Sequence, residues 1–226
     1  MKRLKADLHT HVADDPFDTL SHSAEMLIDA VAAAGMDVLA ITCHDLNLYQ
    51  DRLAEYATRR NLLLVPGIEK FISRKHVLIL NPHPDHLMAG SFDELREIGR
   101  KDAAFIAPHP YYPAPSSLMG DLVRHIDLFD AIEWSSLYVR GLNPNRWAAR
   151  TAIRFGLPLL GTSDTHGVPY MDTTHSWIDA EPTSLGIVEA IRAGRVTLET
   201  RPKPSGVAMR SAFDAVRGIM MESVKV

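Results

Sequence analysis

Asp7-Leu8-His9-Thr10-His11 is the stretch on which the reading of this chain turns. Residues 4–8 read as a short first strand, and residues two apart on a strand project to the same side. His9 and His11 therefore point together past the strand's end. Two imidazoles so placed are half of a metal site, although a lone His-x-His pair is as often two hydrogen-bonding or core histidines. What separates these readings is how the other strands end.

Residues 12–22 form an acidic loop carrying Asp14, Asp15 and Asp18. Ser23 opens a helix in which Leu27, Ala30, Val31 and Ala34 fall at helical spacing, with Gly35 at the C-terminal cap. Residues 36–42 are an apolar run of the kind buried on both faces, and it ends in Cys43-His44-Asp45. An amphipathic helix over 48–60 precedes a third buried strand, 62–65, which runs into Pro66-Gly67-Ile68-Glu69. His76 begins the apolar run 77–80, followed by a polar turn over 81–86 and a helix over 92–101. The buried strand 103–107 is closed by Pro108-His109-Pro110. A helix over 118–129, a strand over 131–135 and a helix over 144–155 lead to a strand over 158–163, which finishes in Asp164-Thr165-His166. A last strand over 175–180, a helix over 184–193 and an extended piece over 195–200 complete one domain, 1–206, whose end, 202–206, reads as a linker. Residues 207–226 read as a C-terminal helix on its outside.

This alternation gives about seven βα units, either a barrel or a doubly wound sheet. In a barrel the strand ends converge on one mouth, whereas an open sheet gathers them only at its switch point. His9, His11, His44, Glu69, His109, Asp164 and His166 come from at least five strand ends, which favours closure.

Composition narrows the function. With 226 residues and 46% hydrophobic content, the chain can bury one large core. A net charge of -4 with scattered Lys and Arg provides no basic stripe for nucleic acid. Cys43 is the single cysteine, so no intrachain disulfide forms and a reducing compartment is expected. The N-terminus has no apolar signal region and no run reaches membrane-spanning length, which points to the cytoplasm and to no membrane partner.

Imidazoles with carboxylates suit zinc, manganese or iron rather than a cysteine-built site. The set exceeds the needs of one tetrahedral ion. Two or three ions sharing a carboxylate would use it, and ions about 3.5–4 Å apart are the usual clamp for displacement at phosphorus.

Asp7-Leu8-His9-Thr10-His11, Ile41-Thr42-Cys43-His44-Asp45, Gly67-Ile68-Glu69, His76-Val77-Leu78, Pro108-His109-Pro110 and Ser163-Asp164-Thr165-His166 resemble, in order and over nearly the whole chain, the motifs of the PHP (polymerase and histidinol phosphatase) superfamily. The resemblance implies an α/β fold, a distorted (β/α)7 TIM-like barrel whose mouth holds up to three divalent ions and hydrolyses phosphoesters. It implies that His9 and His11 bind one ion with Asp164 and a bridging Glu69. His76 and His109 would complete a second with Glu69, and His44 and His166 would hold a third with one more ligand. That last ligand is a departure: where the family has Ser-Asp-Gly or a histidine, this chain has Ala13-Asp14-Asp15-Pro16-Phe17-Asp18. Asp15 is the expected ligand, with Asp14 and Asp18 as alternatives. Cys43 stands where the family has Asp, at a supporting position, and its presence is expected to loosen His44 or alter metal preference.

The expected reaction is hydrolysis of a small phosphomonoester by hydroxide formed on a di- or trinuclear centre, with Glu69, Asp164 and His166 as catalytic residues. Lys70, Arg74 and Arg140 are candidates for the phosphate, since cations complement it; each is equally a solvated surface charge. Trp134, Tyr111 and Tyr112 read as packing aromatics or as a platform for a ring. His22, His83, His86, His125 and His175 read as surface or loop residues, with His83 and His86 alternatively lining the mouth. The competing readings are a nuclease for short oligonucleotides, an amidohydrolase-type barrel cleaving C–N or C–O bonds, and a non-catalytic metal-binding module.

Overall fold

The structure, a computed structural model, describes residues 1–204. The expected helix over 207–226 lies outside the described residues. In chain order the elements are β1 (Lys2–Asp7), α1 (Ala24–Ala33), β2 (Val38–Ile41), α2 (Asp51–Thr58), β3 (Leu63–Ile72), β4 (Lys75–Leu80), α3 (Pro84–Met88), α4 (Phe92–Ile98), β5 (Ala104–Ala107), α5 (Gly120–Arg124), β6 (Ala131–Ser135), α6 (Asn145–Phe155), β7 (Leu159–Thr162), β8 (Thr174–Ala180), α7 (Ser184–Arg192) and β9 (Val196–Thr200).

The strands form one sheet in the order β7-β6-β5-β4-β3-β2-β1-β8-β9. β7, at one end of this order, meets β8 near the other end through a side chain. Ser176 of β8 accepts from the Gly161 N–H at 2.8 Å and donates to the Gly161 carbonyl at 3.0 Å, so the sheet rolls into a nearly closed barrel. Gly161 is required there, because a Cβ would lie 2.5 Å from Leu198 Cδ1 and 2.6 Å from the His175 carbonyl oxygen.

The barrel departs from seven parallel units in two places. β4 is antiparallel to both β3 and β5, and β8 is antiparallel to β1 and β9. The cause at β3–β4 is local: Ser73 and Arg74 both hold positive φ, 50° and 65°, the requirement of a two-residue hairpin turn. A parallel crossover needs a dozen residues or more. As a result His76, at the start of its strand, reaches the same end of the barrel as Glu69 on the strand before it.

Alternate residues fill the interior, among them Leu4 and Ala6 of β1 with Leu8 just past its end, Val38 and Ala40 of β2, and Leu78 and Leu80 of β4. Helix α7 joins this cluster through Ile187, Val188 and Ile191 and touches β3 and β5 as well as β8. It thus closes the barrel floor, opposite the ligand-bearing end. Outside, Leu27, Val31 and Leu53 of α1 and α2 cover β2 and β3, while Phe92 and Leu95 of α4 and Ala148 and Ala152 of α6 cover β4 to β6.

Two expected elements are redrawn. The helix over 118–129 breaks into α5 and a 3-10 turn at Ile126–Leu128, because His125 leaves helical geometry at φ -116° and ψ 26°. The turn over 81–86 instead starts a short helix, with His83 as its cap and Pro84 in its first turn, where proline's missing N–H costs nothing. No helix among the described residues is long and apolar enough to cross a membrane.

Candidate metal centre

The segment after β1 is locked before any ligand is considered. The His11 N–H donates to Thr165 O at 3.0 Å, the Thr42 N–H to Thr10 O at 2.8 Å, and the Thr10 hydroxyl to Ala40 O at 2.8 Å. His9 and His11 are thereby held between the ends of β2 and β7, both fully buried.

Glu69 is the hub. Its Oε2 lies 3.1 Å from His9 Nε2, 3.3 Å from His11 Nε2 and 3.1 Å from His44 Nε2. Its Oε1 lies 2.7 Å from His76 Nδ1 and 3.1 Å from His109 Nε2. One carboxylate therefore addresses two sets of imidazoles, one with each oxygen. Asp164 Oδ1 stands 3.6 Å from the Nε2 atoms of both His9 and His11, and 3.7 Å from His166 Nδ1.

The loop after His11 supplies the rest. Asp15 Oδ2 accepts from His11 Nδ1, His44 Nδ1 and the His44 backbone N–H, each at 2.9 Å. Asp18 Oδ2 lies 3.0 Å from His166 Nε2 and 3.6 Å from His44 Nδ1. Asp14 points to solvent, outside the cluster. Ligand-type atoms within 4.8 Å of one another form four groups: His11-Asp15-Asp18-His44, His9-Glu69-His109, His9-His11-Asp164 and His44-Glu69-His76. His166, at the rim, is more than a third exposed and stacks on His11 at 4.4 Å. Positive φ at His109 (26°) and Asp164 (47°) holds both residues in a region that non-glycine residues occupy reluctantly, a form of strain that collects at functional sites.

These residues fit divalent ions. His9 Nδ1 is bonded to Glu133 Oε1 at 2.7 Å and His11 Nδ1 to Asp15. A neutral ring that donates from Nδ1 has only a lone pair at Nε2. The two Nε2 atoms nonetheless face each other at 3.1 Å, which is repulsive unless a cation or a shared proton lies between them. The carboxylates stay ionised: although burial opposes it, His76, His9 and His44 hold Glu69 well below the usual carboxylate range. His9 and His166 do the same for Asp164, and His11 and His44 for Asp15, each again against burial. Ionised carboxylates beside imidazoles anchored through Nδ1 are the donor set of an imidazole–carboxylate metal site.

The sequence reading missed Glu133. Fully buried on β6, it bonds the His9 ring, the Thr162 hydroxyl and, at 2.5 Å, the His109 N–H. Its signal was a carboxylate inside an apolar strand, which is costly unless it is paired. Cys43 is a fully buried core residue packed with Val12 and Leu27. Burial pushes its thiol up to about 12, and Asp15 steadies His44 instead.

The proposed phosphate cations stand on mouth-side segments. Lys70 is paired with Asp45 at 2.7 Å, while Arg74 and Arg140 are exposed on turns. Tyr111 bonds Thr151 at 2.7 Å and Trp134 packs edge-on against Tyr138, so both serve packing. Three of the histidines read as surface or loop are buried, namely His22, His86 and His175. His83 and His86 cap α3, beyond the far end of β4, and so do not line the mouth.

No family model and no curated protein sequence matches the chain. Solved structures do. A two-domain protein from Bacteroides vulgatus containing a predicted PHP-like metal-dependent phosphoesterase matches at 19% identity and a TM-score of 0.65, over 88% of this chain and 65% of its own. PsfC from Pseudomonas syringae matches at 15% identity and a TM-score of 0.69, over 96% and 98%. The lesion-specific endonuclease PfuEndoQ from Pyrococcus furiosus matches at 14% identity and a TM-score of 0.59, over 87% and 58%. The chain thus spans under two thirds of the Bacteroides and Pyrococcus proteins. What it shares with them is the fold.

Proposed function

We propose that this chain is a metal-dependent phosphoesterase that hydrolyses a small phosphomonoester at a di- or trinuclear centre. The observation that carries the reading is the division of the Glu69 carboxylate, Oε2 toward His9, His11 and His44 and Oε1 toward His76 and His109. A single ion needs no such bridge. In this reading His9, His11, Glu69 and Asp164 hold one ion and Glu69, His76 and His109 a second. Asp15, His44 and His166, with Asp18 beside them, hold the third. Zinc, manganese or iron(II) bound there would lower the pKa of water toward neutrality and neutralise the phosphoryl oxygens.

The protein's own groups divide the remaining work. Glu133 and Asp15 fix the His9 and His11 rings through Nδ1, leaving Nε2 for the centre, an orienting role on which metal sites depend. Asp164 and the rim residue His166 are placed to pass a proton outward. Lys70, Arg74 and Arg140 draw an anionic substrate toward the mouth. A short oligonucleotide is the second substrate class, favoured by the fold shared with an endonuclease.

Protein loaded with Mn, Zn or Fe(II) and given p-nitrophenyl phosphate, its bis-ester, short oligonucleotides and a lactone and amide panel separates these classes. Monoester turnover, abolished in Glu69→Ala, is expected. Turnover confined to oligonucleotides, to amides or to nothing would overturn the reading in favour of a nuclease, an amidohydrolase or a binding module.

A further inference from the structure

We propose that Lys203 is the substrate-anion clamp of this centre, an ammonium held over the mouth to take the non-bridging oxygens of a dianionic phosphate. The inference rests on the phosphoesterase reading and names the group that would select a monoester.

Topology puts Lys203 at the mouth. β8 is antiparallel to β1, so its first residue lies at the end where β1 delivers His9, and β9, antiparallel to β8, pairs its last residue Thr200 with Thr174. The chain leaves β9 at the ligand-bearing end and is tied down immediately. The Arg201 N–H donates to Thr173 O at 2.8 Å and the Lys203 N–H to Tyr138 O at 3.1 Å, while Tyr138 Oη lies 2.8 Å from Thr200 Oγ1. Pro202 and Pro204 flank the lysine and restrict its backbone, so little ordering remains to be done on binding. Residues 201–204 thus form a strap pinned to the loops after β6 and before β8.

The other half-buried cations are occupied. Lys70 pairs with Asp45, Lys75 donates to the Pro115 and Ser117 carbonyls, and Lys5 pairs with Asp172. Lys203 is half-buried, and its ammonium makes no hydrogen bond or ion pair among the described residues. Burial pushes it below the ordinary lysine value, and the charges that pull the other way are Asp164, a proposed ligand, and the buried Asp7. A half-buried ammonium without a partner among the described residues, on a backbone pinned at the mouth, is one that an anion on the centre would complete. A phosphomonoester carries one charge more than a diester, so the clamp favours the monoester.

The test uses the full chain loaded with Mn. Inorganic phosphate is titrated calorimetrically into wild type, Lys203→Met and Lys203→Arg, and bound metal is measured in each. KM and kcat are then compared on p-nitrophenyl phosphate and bis(p-nitrophenyl) phosphate. The expected result is a phosphate affinity and monoester KM weakened about tenfold or more in Lys203→Met, the scale of one charge-assisted hydrogen bond. The arginine variant should recover most of the loss, the diester KM should shift less, and metal content should not change. Phosphate affinity within twofold of wild type in Lys203→Met, or loss of metal from that variant, would overturn the assignment. If wild type turns over no phosphoester, the functional reading fails by itself, and the phosphate titration still decides the lysine.

Discussion

At the scale of single residues, the centre depends on side chains that never need to touch an ion. Glu133 is completely enclosed, and its oxygens serve the His9 ring, the Thr162 hydroxyl and the His109 N–H. Glu133→Gln keeps the shape but replaces one of two acceptor oxygens by an NH2 donor, so it cannot accept on one side from the His9 ring and Thr162 and on the other from the His109 N–H. Groups that orient ligands in this way commonly cost 10–100-fold in metal affinity when changed. Competition titration with a metallochromic chelator should show a loss in that range, with the fold retained by circular dichroism; an unchanged affinity would remove Glu133 from the centre. Apart from Asp15 and Asp18 in the loop after His11, the ligand-type residues were legible because they sit at strand ends inside short ordered motifs. Glu133 was not, because it lies inside a strand, where a lone acidic residue gives no motif. Lys203 escaped for a different reason: a Pro-Lys-Pro stretch looks like a tether until its backbone partners are known.

At the scale of elements, the sequence carried the existence of most strands and helices but not their direction. Apolar runs 77–80 and 175–180 stand out as buried strands, yet periodicity is the same whichever way a strand runs. Only the Ser73-Arg74 hairpin and the pairing of β8 with β1 reveal that β4 and β8 are reversed. Histidine spacing was equally silent about caps. His86 is fully buried at α3; its Nε2 lies 2.8 Å from Gly99 O and its Nδ1 accepts the His83 N–H at 3.0 Å. That pattern requires a neutral ring, and burial pushes its pKa down, with the Gly99 bond opposing. The unfolded chain therefore takes up a proton as pH falls below about 6.5 while the native ring does not, so stability drops in that window and is complete above it. Denaturant unfolding at pH 7.5 and 5.5 should show a smaller loss for His86→Gln than for wild type. An equal loss would mean that the ring is already protonated in the native state.

For the whole molecule, the mouth and the closure of the barrel are one problem, since the proposed ligands come from both ends of the described chain and meet only if the sheet rolls shut. Metal and fold should therefore be linked. With ions at about a hundred times their dissociation constant the native state gains about 2.7 kcal/mol, so exhaustive chelation should lower Tm by about 5–10 °C for a chain of this size; no shift would mean that no ion is held tightly. Closure was legible from the residues gathered at five or more strand ends, but the seam that makes it was not, because the join is one hydroxyl on one glycine rather than a strand ladder. Gly161→Ala places a methyl 2.6 Å from the His175 backbone oxygen, an atom that cannot swing aside like a side-chain tip. The strain should cost about 1–3 kcal/mol, or roughly 2–10 °C in Tm. It should also weaken metal binding, because Thr162 follows Gly161 on the displaced strand and Asp164 and His166 lie in the segment that leaves it. Gly120→Ala, where the added methyl meets nothing within 4 Å, is the matched control and should leave both properties intact. If Gly161→Ala lowers Tm yet binds metal like wild type, the seam and the centre are mechanically independent, and the ligand positions are set by the loops rather than by the barrel.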